Sequence, residues 1–149
     1  MSWLAKKLMA KQFVPGVETG LSGWIFSPLV YPLTGGNPLP VAIPLFHITD
    51  ATIVATKTLN IRSGAVLTVV AQYDWEVVLY EAWIQIYIGG VLRLNRQFTV
   101  NYLVQETFNY TTVVSDAGEK EVKIIVYSGD YDGYTSMVQI DAVSIPIWI

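Results

Sequence analysis

The sequence predicts an all-β fold: an antiparallel β-sandwich of jelly-roll type, about eight strands, with an extended N-terminal arm. Three observations carry this. After Asp50, successive segments alternate apolar and polar residues with the period of two that sets one face of a strand on a core. Clusters of Gly, Asn, Asp and Ser separate those segments at regular intervals. Before Asp50, the stretch from Thr19 to Thr49 has no charged residue and holds five of the seven prolines. It is too apolar for a solvated linker and too broken for a helix.

The arm is assigned to residues 1–48 and the sandwich to 49–149. Residues 1–18 form a basic tip with Lys6, Lys7 and Lys11 ahead of the first acid, Glu18. Lysines interrupt Met1–Phe13 where a secretory signal would be uninterrupted and apolar. Its apolar residues spread around a helical wheel, which suits a short packed helix better than a membrane-surface one. Residues 19–48 contain WIFSPLVYPL and PLPVAIPLF. Proline donates nothing to a ladder, so these pieces pair as edges or lie in polyproline-like form. A membrane-spanning helix is rejected, because Pro28, Pro32, Pro38, Pro40, Pro44 and Gly35-Gly36 would leave backbone groups unsatisfied in lipid.

In the body, Ala51–Ile61 and Ala65–Tyr73 read as strands joined by a turn through Asn60-Ile61-Arg62-Ser63-Gly64. Ala82, Ile84, Ile86 and Ile88 alternate with Trp83, Gln85 and Tyr87, a half-buried strand. Gly89-Gly90 is the expected two-residue hairpin. Leu92, Leu94 and Phe98 follow on one face, with Arg93, Asn95 and Gln97 on the other. Val100 to Val114 alternates for fifteen residues, long enough to bend or split near Gln105-Glu106. Asp116-Ala117-Gly118 turns the chain into Glu121–Tyr127, whose apolar phase is Val122, Ile124 and Val126. Ser128–Thr135 is a loop, and Met137–Ile145 closes the fold.

Apolar residues make up 52% of the 149 and charged residues 14%, against about 45–50% and about 25% in typical soluble domains. So few charges imply apolar contact surfaces, and the expected partner is a second copy of the chain. Net charge is −3. The three tip lysines are compatible with contact to nucleic acid or an anionic membrane surface, though too few for a nucleic-acid arm. The absence of cysteine excludes disulfides, thiol catalysis and thiolate zinc sites.

No catalytic motif emerges, and the chain is not read as an enzyme. His47 is the single histidine, so the usual triads cannot be built, and an interfacial or core role fits it best. Glu106 occupies the apolar phase of its strand, and Glu81 precedes the Trp83 strand. Paired carboxylates hydrolyse glycosides on some jelly rolls, but a bulge would turn Glu106 outward at little cost. Asp130 and Asp132 in SGDYDGYT are weak metal candidates, lacking the spacing and closing glutamate of an EF-hand. No cofactor is expected. Asn109-Tyr110-Thr111 is a glycosylation triplet. The aromatics give the best binding signal. Trp83 and Tyr87 face outward from one strand, with Tyr131, Tyr134 and Trp75 in or beside loops, and flat rings can stack on sugars or anchor a protein interface.

The closing segment SMVQIDAVSI, from Ser136 to Ile145, resembles the last strand of jelly-roll carbohydrate-binding modules. The larger plan is similar to single jelly-roll subunits of virus particles and of virus- or cell-surface filaments: an arm over 1–48, a sandwich over 50–145, and an apolar end Pro146-Ile147-Trp148-Ile149. That second resemblance implies a structural, self-assembling subunit, placed in a virion or extracellular structure, whose arm enters a neighbour by strand addition. The contact would use Trp24, Ile25, Phe26, Leu29, Val30, Tyr31, Val41, Ile43, Leu45, Phe46, Ile147 and Trp148. The alternative is a carbohydrate-binding module using Trp83, Tyr87, Tyr131 and Tyr134.

Overall fold

The computed structural model describes residues 14–27, 31–32, 40–41, 51–74, 82–99, 104–128 and 137–149. The strands are β1 (Pro15–Thr19), β2 (Ile25–Ser27), β3 (Tyr31–Pro32), β4 (Pro40–Val41), β5 (Ala51–Ile61), β6 (Val66–Asp74), β7 (Ala82–Ile88), β8 (Val91–Gln97), β9 (Glu106–Thr111), β10 (Gly118–Ser128) and β11 (Met137–Trp148), with one 3-10 turn at Val114–Asp116. The fold is all-β and antiparallel, as the alternation predicts.

Nine of these strands are hydrogen-bonded in the order β8-β7-β10-β5-β11-β6-β9, with β2 added to β5 and β1 to β11; β3 and β4 pair with each other. The β5–β11 link is a single residue pair, Ile61 with Ile147. Around it the sheet folds into two layers: five strands (β8-β7-β10-β5-β2) and four (β9-β6-β11-β1). Between the layers lies the core that the period of two lays down. β7 contributes Ile84 and Ile86, β10 contributes Val122, Ile124 and Val126, β5 contributes Ile53 and Ile61, β6 contributes Leu67 and Val69, and β11 contributes Val138, Ile140, Val143 and Ile145, all fully or almost fully buried. β-Branched side chains dominate because they pack well on a pleated surface.

The hairpin glycines behave as expected. Gly89 and Gly90 have φ of 57° and 80°, the two positive values a tight β7–β8 turn requires. Of the fifteen-residue alternation, residues 104–114 are described: they hold β9, and Val114 sits 82% exposed in the 3-10 turn. Leu92, expected on the core face, is 44% exposed. The reason is a bulge: Ile86 pairs with Leu94 but Tyr87 pairs with Leu92, which makes Arg93 the extra residue and inverts the phase beyond it.

The arm departs from expectation where it is described. It does not leave the body. β1 runs along β11 from Pro15↔Trp148 to Thr19↔Ser144, and β2 takes the edge of β5 at Val54, Ala55 and Thr56. Leu21 and Trp24 are buried in the chain's own core, with Phe26 packed against it. Lys57 interrupts the apolar phase of β5, and its Nζ donates to Glu18 Oε1 at 2.5 Å and to the Ser22 carbonyl at 2.8 Å. That pair bridges the two layers at their open side. The chain's own sheet edges thus receive residues 15–19 and 25–27, which covers backbone that would otherwise be unpaired.

Candidate functional site

The outer face of the five-stranded sheet follows from its registers. Opposite each other on β7 and β10 stand Trp83 with Tyr127, Gln85 with Ile125, and Tyr87 with Lys123. On β8, Gln97 lies opposite Trp83 and Asn95 opposite Gln85. On β5, Thr52 lies opposite Tyr127 and Val54 opposite Ile125. Residues opposite one another share a face. Since Ile84, Ile86, Ile124 and Val126 point inward, all of these point out.

On that face is a groove of about 480 Å³ lined by Thr52, Trp83, Gln85, Asn95, Ile125 and Tyr127, within the size range of small-molecule sites. The Trp83 and Tyr127 rings stack with centroids 6.0 Å apart and planes 17° from parallel, the offset arrangement aromatic pairs favour. Each ring braces the other. No lining residue carries a formal charge. Gln85 and Asn95 make no side-chain hydrogen bond to any other described residue. Beside the groove, Lys123 Nζ lies 5.7 Å from the centroid of the Tyr87 ring, a cation–π contact that occupies both.

Of the sequence candidates, Trp83 and Tyr87 are half-buried on the outward face of β7, and Trp83 alone lines the groove. Tyr131, Tyr134, Asp130 and Asp132 lie outside the described residues, as do Lys6, Lys7, Lys11, His47, Trp75, Glu81, Leu29, Val30, Ile43, Leu45 and Phe46. Tyr31 and Val41 form one pair of the β3–β4 ladder. Trp24 is in the core, Ile25 is 71% exposed, and Ile147 is half-buried against the core. Trp148 carries the Arg62 guanidinium 4.6 Å above its ring. Tyr127, Gln85, Asn95, Ile125 and Thr52 were not singled out from sequence. Their signal was available in part: with Val122, Ile124 and Val126 inward, Ile125 and Tyr127 must face out. What was missing was the pairing of β10 with β7.

Three other polar clusters are accounted for by structure. Glu106 is half-buried, and its Oε1 accepts from the Thr99 amide at 2.8 Å and the Thr99 hydroxyl at 3.1 Å. Burial, and then the Glu106 charge, push the Tyr73 phenol above its ordinary value. Asp116, almost completely buried, accepts from Arg93 Nε at 2.8 Å, the Tyr110 hydroxyl at 2.7 Å and the Val113 amide at 3.0 Å. Burial opposes its ionisation, yet these three donors and the Arg93 charge hold its carboxyl below the ordinary range. Asp141, the extra residue of a bulge in β11, accepts from Gln72 Nε2 at 2.8 Å, Gln105 Nε2 at 3.1 Å and Gln139 Nε2. Among the described residues no three His, Cys, Asp or Glu side chains converge on a point that could hold a metal ion. No helix among them is long and apolar enough to cross a membrane.

The chain matches no protein-family model and no curated protein. Its fold does match solved structures. TmCBM61 in complex with β-1,4-galactotriose superposes with a TM-score of 0.56 at 11% identity, covering 84% of this chain and 89% of that one. The CBM36-1 domain of a multidomain xylanase from the hindgut metagenome of Trinervitermes trinervoides gives 0.52 at 13%, covering 89% and 96%. A family 35 carbohydrate-binding module from Clostridium thermocellum gives 0.52 at 10%, covering 89% and 97%. At such identities the likeness establishes the jelly-roll fold. It also corrects the main functional expectation. Three solved structures that share this fold over most of their length are carbohydrate-binding modules, where a virion, capsid or filament subunit was expected. The arm that was to drive polymerisation is paired with its own chain over residues 15–19 and 25–27.

Proposed function

We propose that this chain is a non-catalytic carbohydrate-binding module whose ligand lies in the groove of the five-stranded sheet, against Trp83 and Tyr127. One observation carries the reading: a braced aromatic pair stands in an uncharged groove beside two amides, Gln85 and Asn95, that no described side chain engages. Sugars present both surfaces this site matches. Their C–H faces pack on aromatic rings, and their hydroxyls donate and accept as primary amides do. Because the rings are already stacked, little side-chain freedom is lost on binding. The fold likeness supports the reading, since one such structure holds β-1,4-galactotriose and another is a domain of a xylanase.

The test is a titration of the full chain with β-1,4-galactotriose and with xylo-oligosaccharides, read by tryptophan fluorescence and calorimetry. Saturable binding is expected, and Trp83→Ala is expected to weaken it by at least about tenfold, or about 1.4 kcal/mol. A Trp83→Ala chain that binds as well as the native one would overturn the placement. No binding of any neutral glycan would overturn the function.

A further inference from the structure

Resting on that reading, we infer that the ligand is a linear run of about three uncharged sugar units lying across the strands, as the strand spacing of the groove dictates. The groove draws Asn95 from β8, Trp83 and Gln85 from β7, Ile125 and Tyr127 from β10, and Thr52 from β5. These six fall in only two transverse rows, Trp83–Tyr127–Thr52 and Asn95–Gln85–Ile125. The site is therefore four strands long and two rows wide. Four strands span about 14 Å, and two rows on one face lie about 7 Å apart. A pyranose unit advances a chain by about one strand spacing and is about as wide as the gap between rows. A single sugar would leave most of this length empty, and a chain laid along the strands would leave it after one unit.

The chemistry within the rows restricts the ligand further. The ring pair is on the two middle strands, so the central unit stacks there. Gln85 and Asn95 stand opposite each other on β7 and β8, two adjacent amides that suit a vicinal pair of hydroxyls, each of which donates and accepts. At the other end Thr52 offers one hydroxyl. A uronate or sulfate in this groove would lose water without gaining a cation, a costly burial. The neighbouring ammonium of Lys123 is held over Tyr87.

The experiment is a length ladder on the full chain. Neutral β-1,4-linked gluco-, xylo- and galacto-oligosaccharides of one to five units are compared with oligogalacturonides of the same lengths. Affinity in at least one neutral series is expected to rise to three units and then change by less than about twofold, with oligogalacturonides at least about tenfold weaker at each length. Gln85→Ala is expected to weaken the trisaccharide about tenfold, with an unchanged far-ultraviolet spectrum as the check on folding. Affinity already complete with one unit, or an acidic series equal to the neutral one, would overturn this inference. In that case Trp83→Ala sensitivity would leave the groove assignment standing. Binding in no series would instead remove the carbohydrate reading on which it rests.

Discussion

The two sheets bury similarly apolar inner faces and present opposite outer ones. Inward, both are apolar on a period of two, mostly Ile and Val in the five-stranded sheet, with Leu67, Ala71, Tyr73 and Phe108 added in the four-stranded one. Outward, the four-stranded sheet spends its polar groups on itself. The Thr68 hydroxyl donates to Asn109 Oδ1 at 2.8 Å, and the Asp141 carboxylate is held by amides of Gln72, Gln105 and Gln139. The five-stranded sheet does the reverse: Gln85 and Asn95 flank a stacked Trp83–Tyr127 pair and engage no other described side chain. A sandwich needs only the inner pattern, because burial of apolar area drives its formation. An outer face costs little to vary, so unspent amides beside large rings mark the face that meets a ligand. Satisfied polar groups on the other face mark structure.

The sharpest way to break this comparison is at the residue that joins the arm to the five-stranded sheet. Trp24 is 6% exposed, and its Nε1 has no hydrogen-bond partner among the described residues. Its side chain contributes through packing. Trp24→Ala is expected to cost about 3–5 kcal/mol, as truncation of a buried aromatic does, measured by the urea midpoint. Trp24→Phe keeps an aromatic ring in the core but vacates the volume of the indole's second ring, so it should cost less than Trp24→Ala. An unchanged midpoint for Trp24→Ala would mean that the arm belongs to another body than its own.

Much of the fold was legible because it rests on a local code. The strand limits of β5 and β7 and the Gly89-Gly90 turn follow from alternation and from the need for positive φ, while β10 extends from Gly118 to Ser128, beyond the expected Glu121–Tyr127. The phase error at Leu92 shows where that code ends. Nothing between Val91 and Leu94 announces a bulge, whose extra residue, Arg93, bonds a buried carboxylate 23 residues on. The site was half legible for the same reason. Trp83 and Tyr87 share a strand and could be seen to face out together. Tyr127, Asn95 and Thr52 come from three other strands, and only pairing brings them to one groove. The arm misled because an uncharged, proline-rich run signals burial without naming what buries it.

A smaller effect sharpens the boundary between the sheets. Arg93 of β8 and Tyr110 of β9 both bond Asp116, so this carboxylate ties the edge of one layer to the edge of the other. Asp116→Asn removes the charge and at least one of its bonds, and is expected to cost about 1–3 kcal/mol at neutral pH. The sign of the pH dependence follows from the direction of its shift. With the folded-state carboxyl held below the ordinary value of about 3.9, its contribution is complete above that value and is lost as pH falls through the folded one. Urea midpoints of the native chain and Asp116→Asn should therefore converge as pH falls below about 4. A gap that stays constant down to acid would show that the carboxylate is not ionised in the fold.

The smallest expected effect is the one that most directly separates the two outer faces. Thr68→Ala removes a hydroxyl whose partner, Asn109, is exposed and can turn to water instead. Stability should fall by about 0.5 kcal/mol, the low end for a hydrogen bond. Affinity for a neutral trisaccharide should stay within about twofold. Gln85→Ala is the mirror experiment: it breaks no bond to a described side chain, so it should leave the urea midpoint unchanged while weakening the sugar. Each variant moves one observable and spares the other, so the pair tests the division of labour without assuming the identity of the glycan. A Thr68→Ala chain that loses sugar binding would put ligand contacts on the four-stranded sheet. The satisfied polar groups there could then no longer be read as purely structural.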